Sequence, residues 1–131
     1  MNRKALRAVR AIPGVYALLA FLTARRIAVR GGSMLPALAP GERVLFDRLA
    51  YVLDRPRTGD IVLARHPARP GVRMIKRVAE REGLGRGEYW LLGDNAEGST
   101  DSRTLGAFRR RDIVGRVWVV YWPAERFRRL R

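Results

Sequence analysis

The sequence predicts a mainly β domain preceded by one short hydrophobic helix. Three observations carry this expectation. From residue 26 to residue 123, short apolar runs alternate with Pro-, Gly- and Asp-rich turns about every eight to twelve residues, the spacing of an all-β domain. The run DIVGRVWVVYWP near the C-terminus alternates strongly and stops at Pro123, as a strand would. Ahead of all this, residues 11–24 (AIPGVYALLAFLTA) carry no charge and are framed by basic residues. A chain of 131 residues with 47% hydrophobic and 30% charged residues has room for one folded domain with a modest core.

Taken in order, residues 1–10 are basic (Arg3, Lys4, Arg7, Arg10), and Arg25 and Arg26 close the uncharged stretch. The basic N-terminus and the hydrophobic anchor helix are assigned to residues 1–25. As a helix, the uncharged stretch extends about 21 Å, short of a ~30 Å hydrocarbon core. Arginines snorkelling at both ends extend its reach, and Tyr16 suits an interface. A cleaved secretory signal is the competing reading, but no clear small-x-small cleavage site follows the apolar run. The sequence favours a retained anchor, either marginally spanning or interfacial, with a core helix of a soluble protein as the alternative.

Residues 26–123 form the predicted β domain. RIAVRG alternates, and Ala39-Pro40-Gly41-Glu42 marks a turn before the run RVLFDRLAYVL. PRTGD is a second turn, followed by the strand IVLAR. HPARPG leads into VRMIKRVAE, and REGLGRGE reads as a glycine-rich hairpin connection into the short strand of YWLLGDN. Residues 96–112 read as irregular. The basic tail, residues 124–131, reads as a frayed helix or a membrane-surface contact.

Composition removes several kinds of chemistry. There is no cysteine, so disulfides and thiolate catalysis are excluded, and the single histidine, His66, cannot build a His-rich metal cluster. No cofactor and no metal are expected. The net charge of +15 asks for a polyanionic neighbour, nucleic acid or an anionic membrane surface. The arginines are scattered along the chain without an aromatic-interleaved basic motif, so no specific nucleic acid is expected, and a basic nucleic-acid-binding module is kept only as the alternative from another class.

Three stretches can carry chemistry. In GGSMLPAL, Gly31 and Gly32 let backbone approach a bound group closely, Ser33 follows them, and Met34 and Pro36 complete the loop. The only other serines are Ser99 and Ser102. Lys76 is one of two lysines in a chain whose other basic residues are all arginine. On a strand it shares a face with Val72, Met74 and Val78, while Arg73 and Arg77 take the opposite face. Burial there would disfavour the ammonium form and suit the amine to general-base work, which arginine cannot do; the alternative is a snorkelling surface lysine. The third stretch is GDNAEGSTDSR, where Gly93 and Asn95 suit a tight turn and Asp101 and Arg103 can pair.

Read together, SMLPAL, TGDIVL, MIKRV and GDNAEGSTDSR, in that order and followed by VGRVWVVYWP, resemble the type I signal peptidase family, the Ser/Lys membrane proteases that remove leader peptides. The resemblance covers roughly residues 26–123 and implies a small antiparallel, barrel-like catalytic domain. It also implies Ser33 as nucleophile, Lys76 as general base, Ser99 as the hydroxyl that orients the lysine amine, and Asp101 and Arg103 as a supporting pair. Gly93, Asp94 and Asn95 match the turn lining the lysine's side. Some relatives carry a serine hydroxyl two residues before the nucleophile; here Gly31 stands there, so oxyanion stabilisation rests on backbone such as the Ser33 N–H. Met74 stands where an aromatic residue is frequent, and the long insertion of larger members is replaced by REGLGRGEYWL. His66 lies outside every matched block.

The implied partners are the leader or signal peptides of precursor proteins, with small residues near the cleavage site, and an anionic membrane surface. The implied location is the membrane, with the catalytic domain on the extracytoplasmic side of a bacterial or archaeal cell. The compact size also fits a dedicated maturation protease, such as the small group that trims the leader of nickel-type superoxide dismutase. A repressor-type autoprotease shares a Ser/Lys dyad but lacks the GDN…DSR block.

Overall fold

A computed structural model describes residues 2–130. Its centre is an antiparallel sheet of β1 (Arg25–Ala28), β2 (Arg43–Asp47), β3 (Ile61–Arg65), β4 (Arg73–Ala79), β5 (Glu88–Leu92), β6 (Phe108–Arg109), β7 (Ile113–Trp122) and β8 (Arg128–Arg129). Spatial order is β1-β2-β7-β3-β4-β5-β6, with β8 pairing β7 off this path. The path runs from β1 to β6 without closing, so the sheet is an open half-barrel rather than a complete barrel.

Apolar alternation explains the layers. Ile61 and Leu63 of β3 point into one cluster with Val29, Met34, Leu38, Val44, Phe46, Val117 and Val120. Val62 and Ala64 point into the other, with Tyr51, Val78, Leu91, Phe108 and Ile113. β3 is therefore buried on both faces, as its unbroken apolar sequence requires. On β4, Met74 and Val78 join the second cluster while Ile75 packs on the first, which is the parity expected of a strand.

Four local expectations change. The anchor is not one helix: α1 (Arg3–Arg10) and α2 (Val15–Thr23) are separated at Pro13-Gly14, where Gly14 takes a left-handed φ of 77°. No helix of the described residues is long and apolar enough to cross a membrane. The apolar run after β2 does not continue as strand but turns into α3 (Ala50–Leu53), and residues 102–105 of the irregular stretch form α4 (Ser102–Leu105). In the tail, the frayed helix gives way to β8, whose Arg128 donates to both carboxylate oxygens of the buried Glu42, at 2.7 and 2.9 Å, and to the Ala37 carbonyl at 2.7 Å. That clamp fastens the C-terminal strand to the loop that follows Ser33.

Candidate active site

The loop between β1 and β2 is held at both ends and in its middle. Val29 N–H donates to Glu42 O and Gly41 N–H to Val29 O, which closes its base, and Leu38 N–H donates to Met34 O. Met34 and Leu38 are fully buried in the first cluster, so burial of two apolar anchors presents Ser33 at the surface of a cleft. The Leu35–Pro36 peptide is cis. Among the described residues, the Ser33 N–H makes no backbone hydrogen bond.

Across the cleft lies β4. Its second half pairs with β5 (Arg77 with Leu92, Val78 with Leu91, Ala79 with Trp90), whereas residues 73–76 have a strand partner, β3, on one side only. A cleft of about 520 Å³ is bounded by Ile27 and Ala28 of β1, by residues 29–34, by residues 71–76, and by Gly98 and Thr100. Ser33 and Lys76 both line it. Lys76 is only 4% exposed. Desolvation draws its pKa below the ordinary lysine value; the Asp101 charge acts against that shift and Arg103 with it.

The loop after β5 ties the two sides together. Asn95 N–H donates to Ser33 O at 2.8 Å and its side-chain amide to Gly32 O at 3.1 Å. A Cβ on Gly93 would lie 2.2 Å from Ser99 Oγ and 2.7 Å from Ser33 O, so only glycine lets both serines pack this closely against position 93. Ser99 Oγ donates to Asp101 Oδ2 at 2.6 Å, Gly93 N–H to the same oxygen at 2.8 Å, and Arg103 N–H and Nε to Asp101 Oδ1 at 3.1 and 3.0 Å. Arg103 Nη2 completes a forked ion pair with the carboxylate. Asp101 is fully buried. Desolvation pushes its carboxyl up, but the hydrogen bonds from Arg103, Ser99 and Gly93 outweigh that and hold it well below the usual carboxylate range.

The sequence model of the family described as Signal peptidase, peptidase S26 matches residues 2–83 and 79–122. The chain belongs to this family. The mitochondrial inner membrane protease subunit 1 of Xenopus tropicalis is 33% identical, over 74% of this chain and 68% of its own length. The mitochondrial ATP-independent inner membrane protease subunit 1a of Arabidopsis thaliana is 32% identical, over 79% and 73% respectively. The probable signal peptidase I-1 of Synechocystis sp. is 24% identical, over 86% and 79%. This protein is thus a serine peptidase of the signal peptidase type.

In the peptidase, the residues singled out in the sequence come together unevenly. Ser33, Gly31, Gly32, Met34 and Lys76 border one cleft. Ser99, Asp101 and Arg103 form one hydrogen-bonded cluster. The Asp94 carboxylate takes a fork from Arg77 Nε and Nη2 at 2.9 and 2.8 Å. Arg77 also donates to Gly59 O at 2.9 Å, bracing the loop after β5 against the turn before β3. His66 accepts from the Ala68 and Arg69 N–H groups and lies outside the cleft lining. The sequence did not single out Arg77, Glu42 or Arg128, whose carboxylate or guanidinium partners lie 17 or 86 residues away in the chain. Gly31 has a φ of 70° and faces open space where a Cβ would project, so a serine there would fit but would be strained.

Proposed function

We propose that the peptidase is a membrane-associated endopeptidase that removes leader peptides through Ser33 and Lys76. The observation that carries this reading is a buried lysine with a depressed pKa bordering the same cleft as a serine held by the core-anchored loop. A neutral Lys76 amine accepts the Ser33 hydroxyl proton as Oγ attacks the scissile carbonyl. The lysine then returns that proton to the leaving amine, and water repeats the cycle on the acyl-enzyme. Ser99 is committed as a donor to Asp101, so its lone pairs are left to accept from the Lys76 amine and steer it. The unused Ser33 N–H serves the oxyanion of the tetrahedral intermediate.

Substrate binding follows from the cleft's walls. Among the described residues β1 pairs only with β2, and residues 73–76 have one free backbone edge, so an extended peptide can lie between two strand edges. Ile27, Val29, Met34, Met74 and Ile75 give an apolar floor that takes small uncharged side chains near the cleavage site. The relatives named as inner membrane proteases and a signal peptidase support a precursor-protein substrate at a membrane. Cleavage of a small-x-small leader peptide by purified Ser33→Ala, Lys76→Ala and Lys76→Arg variants tests the dyad. All three should be inactive while remaining folded by circular dichroism. Substantial turnover by Lys76→Arg, which cannot become neutral, would falsify the assignment.

A further inference from the structure

We propose that the α1–α2 hairpin is an in-plane foot that lays the catalytic domain on an anionic lipid bilayer, rather than a helix that crosses it. This role refines the membrane association proposed above and does not depend on the catalytic assignment. The inner side of the hairpin is already committed to the catalytic domain. Leu6 is fully buried, and Arg10 pairs with Asp54 of the segment after α3 at 3.0 Å. From α2, Tyr16 donates to Asp47 of β2 at 2.9 Å and Ala20 is buried. Turning this segment into a spanning helix would require pulling those groups off the sheet and straightening the break at Pro13-Gly14.

The outer side has no cover within the described residues. Leu18, Phe21 and Leu22 are 58%, 60% and 70% exposed, and Ile12 and Val15 add to the same apolar surface. Helical spacing puts Val15, Leu18 and Leu22 on the side of α2 opposite Tyr16 and Ala20. The segments that flank α2 in the chain carry exposed Arg3, Lys4, Arg7, Arg25 and Arg26, and the first acidic residue in the chain is Glu42. An exposed apolar helical stripe between basic segments matches a membrane interface, where such helices bury to about 5–10 Å and anionic headgroups meet the cations. A second copy of the chain would bring the same basic flanking segments and a net charge of +15 toward this one, so charge opposes self-association through this face. At nine residues, α2 extends about 13 Å, enough to lie in the interface and far short of a ~30 Å core.

The absence of cysteine makes the test direct, because single-cysteine variants have no background. The full chain, and its Lys4→Cys and Arg111→Cys variants, are added to preformed vesicles of phosphatidylcholine and phosphatidylglycerol in equal parts, or of phosphatidylcholine alone. The expected result is flotation with the anionic vesicles and weaker flotation with the neutral ones. A membrane-impermeant maleimide should then label both cysteines. The double variant Leu18→Glu/Leu22→Glu should bind anionic vesicles at least ~10-fold more weakly, as loss of two buried leucines implies, and still cleave a soluble leader peptide at the unmodified rate. Protection of Lys4→Cys with Arg111→Cys still labelled means a spanning segment; it overturns the in-plane foot and leaves membrane association standing. Failure to float with either vesicle overturns both. Undiminished binding by the double variant, or a dimer in solution that this variant dissolves, also overturns the proposal.

Discussion

Lys76 and Arg77 are neighbours on β4 with the same charge in water, and the two faces of the strand treat that charge in opposite ways. The Lys76 side is apolar, with Met74 and Val78 on the same face, and its pKa is pulled down by desolvation. Arg77 on the other side meets the Asp94 carboxylate in a fork and is held firmly protonated. In the proposed mechanism the contrast separates two jobs on one strand. A base has to be easy to deprotonate, and a strut has to keep its charge. A similar division recurs around Asp101, which is buried but satisfied by Ser99, Gly93 and Arg103, and so stays ionised next to a lysine that the proposed mechanism needs neutral.

The largest way to break this contrast is to remove the titration from the Lys76 side. Lys76→Met should lose activity by on the order of 10⁴-fold or more, as removal of one member of a catalytic pair does. It should also change stability in a defined direction. Lys76 has a lower pKa folded than unfolded, so between the two values the unfolded chain holds a proton the folded chain has released. Stability from this group therefore rises with pH across that window and is lost as pH falls through the folded value. Thermal melts across pH should show that slope in the unmodified chain and not in Lys76→Met, and the variant should melt higher at neutral pH.

Next in size is Asp101→Asn. It removes the charge and one of the two oxygens that accept from Ser99, Gly93 and Arg103, and should cost about 3 kcal/mol in denaturant unfolding. Because the Asp101 charge works to raise the Lys76 pKa, its loss should move the acidic limb of the kcat/KM profile to lower pH. An unmoved limb would mean that Asp101 acts on structure alone. The Asp101 carboxyl is itself held below its ordinary value, so its stabilisation is present above pH ~4 and is lost on further acidification.

Arg77→Lys is a smaller test of the other face. A lysine cannot reproduce the fork to Asp94, so the loop carrying Asn95 should loosen its hold on Ser33 O and Gly32 O. The expected outcome is a kcat lower by about tenfold with an unchanged pH profile, the signature of misplacement rather than altered titration. Smallest is Gly31→Ser. The sequence alone suggests a gain from an added hydroxyl, but the φ of 70° imposes strain of about 1 kcal/mol. A slightly lower melting temperature and a kcat within about twofold of the unmodified enzyme should result.

The sheet was readable where burial imposes a period. In β7, Ile113, Gly115, Val117 and Val119 are buried in alternation, and the sequence shows that alternation directly. It was not readable where a run is apolar throughout, as at α3, or where an element is two residues long and exists only because β7 offers an edge, as with β8. Pro13-Gly14 was visible, but not that α2 would fold back to place Tyr16 against Asp47, 31 residues away. In the candidate site, Ser33, Lys76 and Ser99 stood out because serine and lysine are scarce here. Arg77, Glu42 and Arg128 did not, since one arginine among many shows its role only once a distant carboxylate is folded against it.

The scarcity that made Lys76 conspicuous also makes its charge measurable. Lysine-selective ¹³Cε labelling of the chain gives two signals, from Lys4 and Lys76, and Lys4→Arg assigns them. In an NMR pH titration, one signal should follow an ordinary lysine near ~10.4. The Lys76 signal should titrate clearly below it and vanish in Lys76→Met. Two lysines titrating together at the ordinary value would contradict the claim that β4 holds a base on one face and a strut on the other.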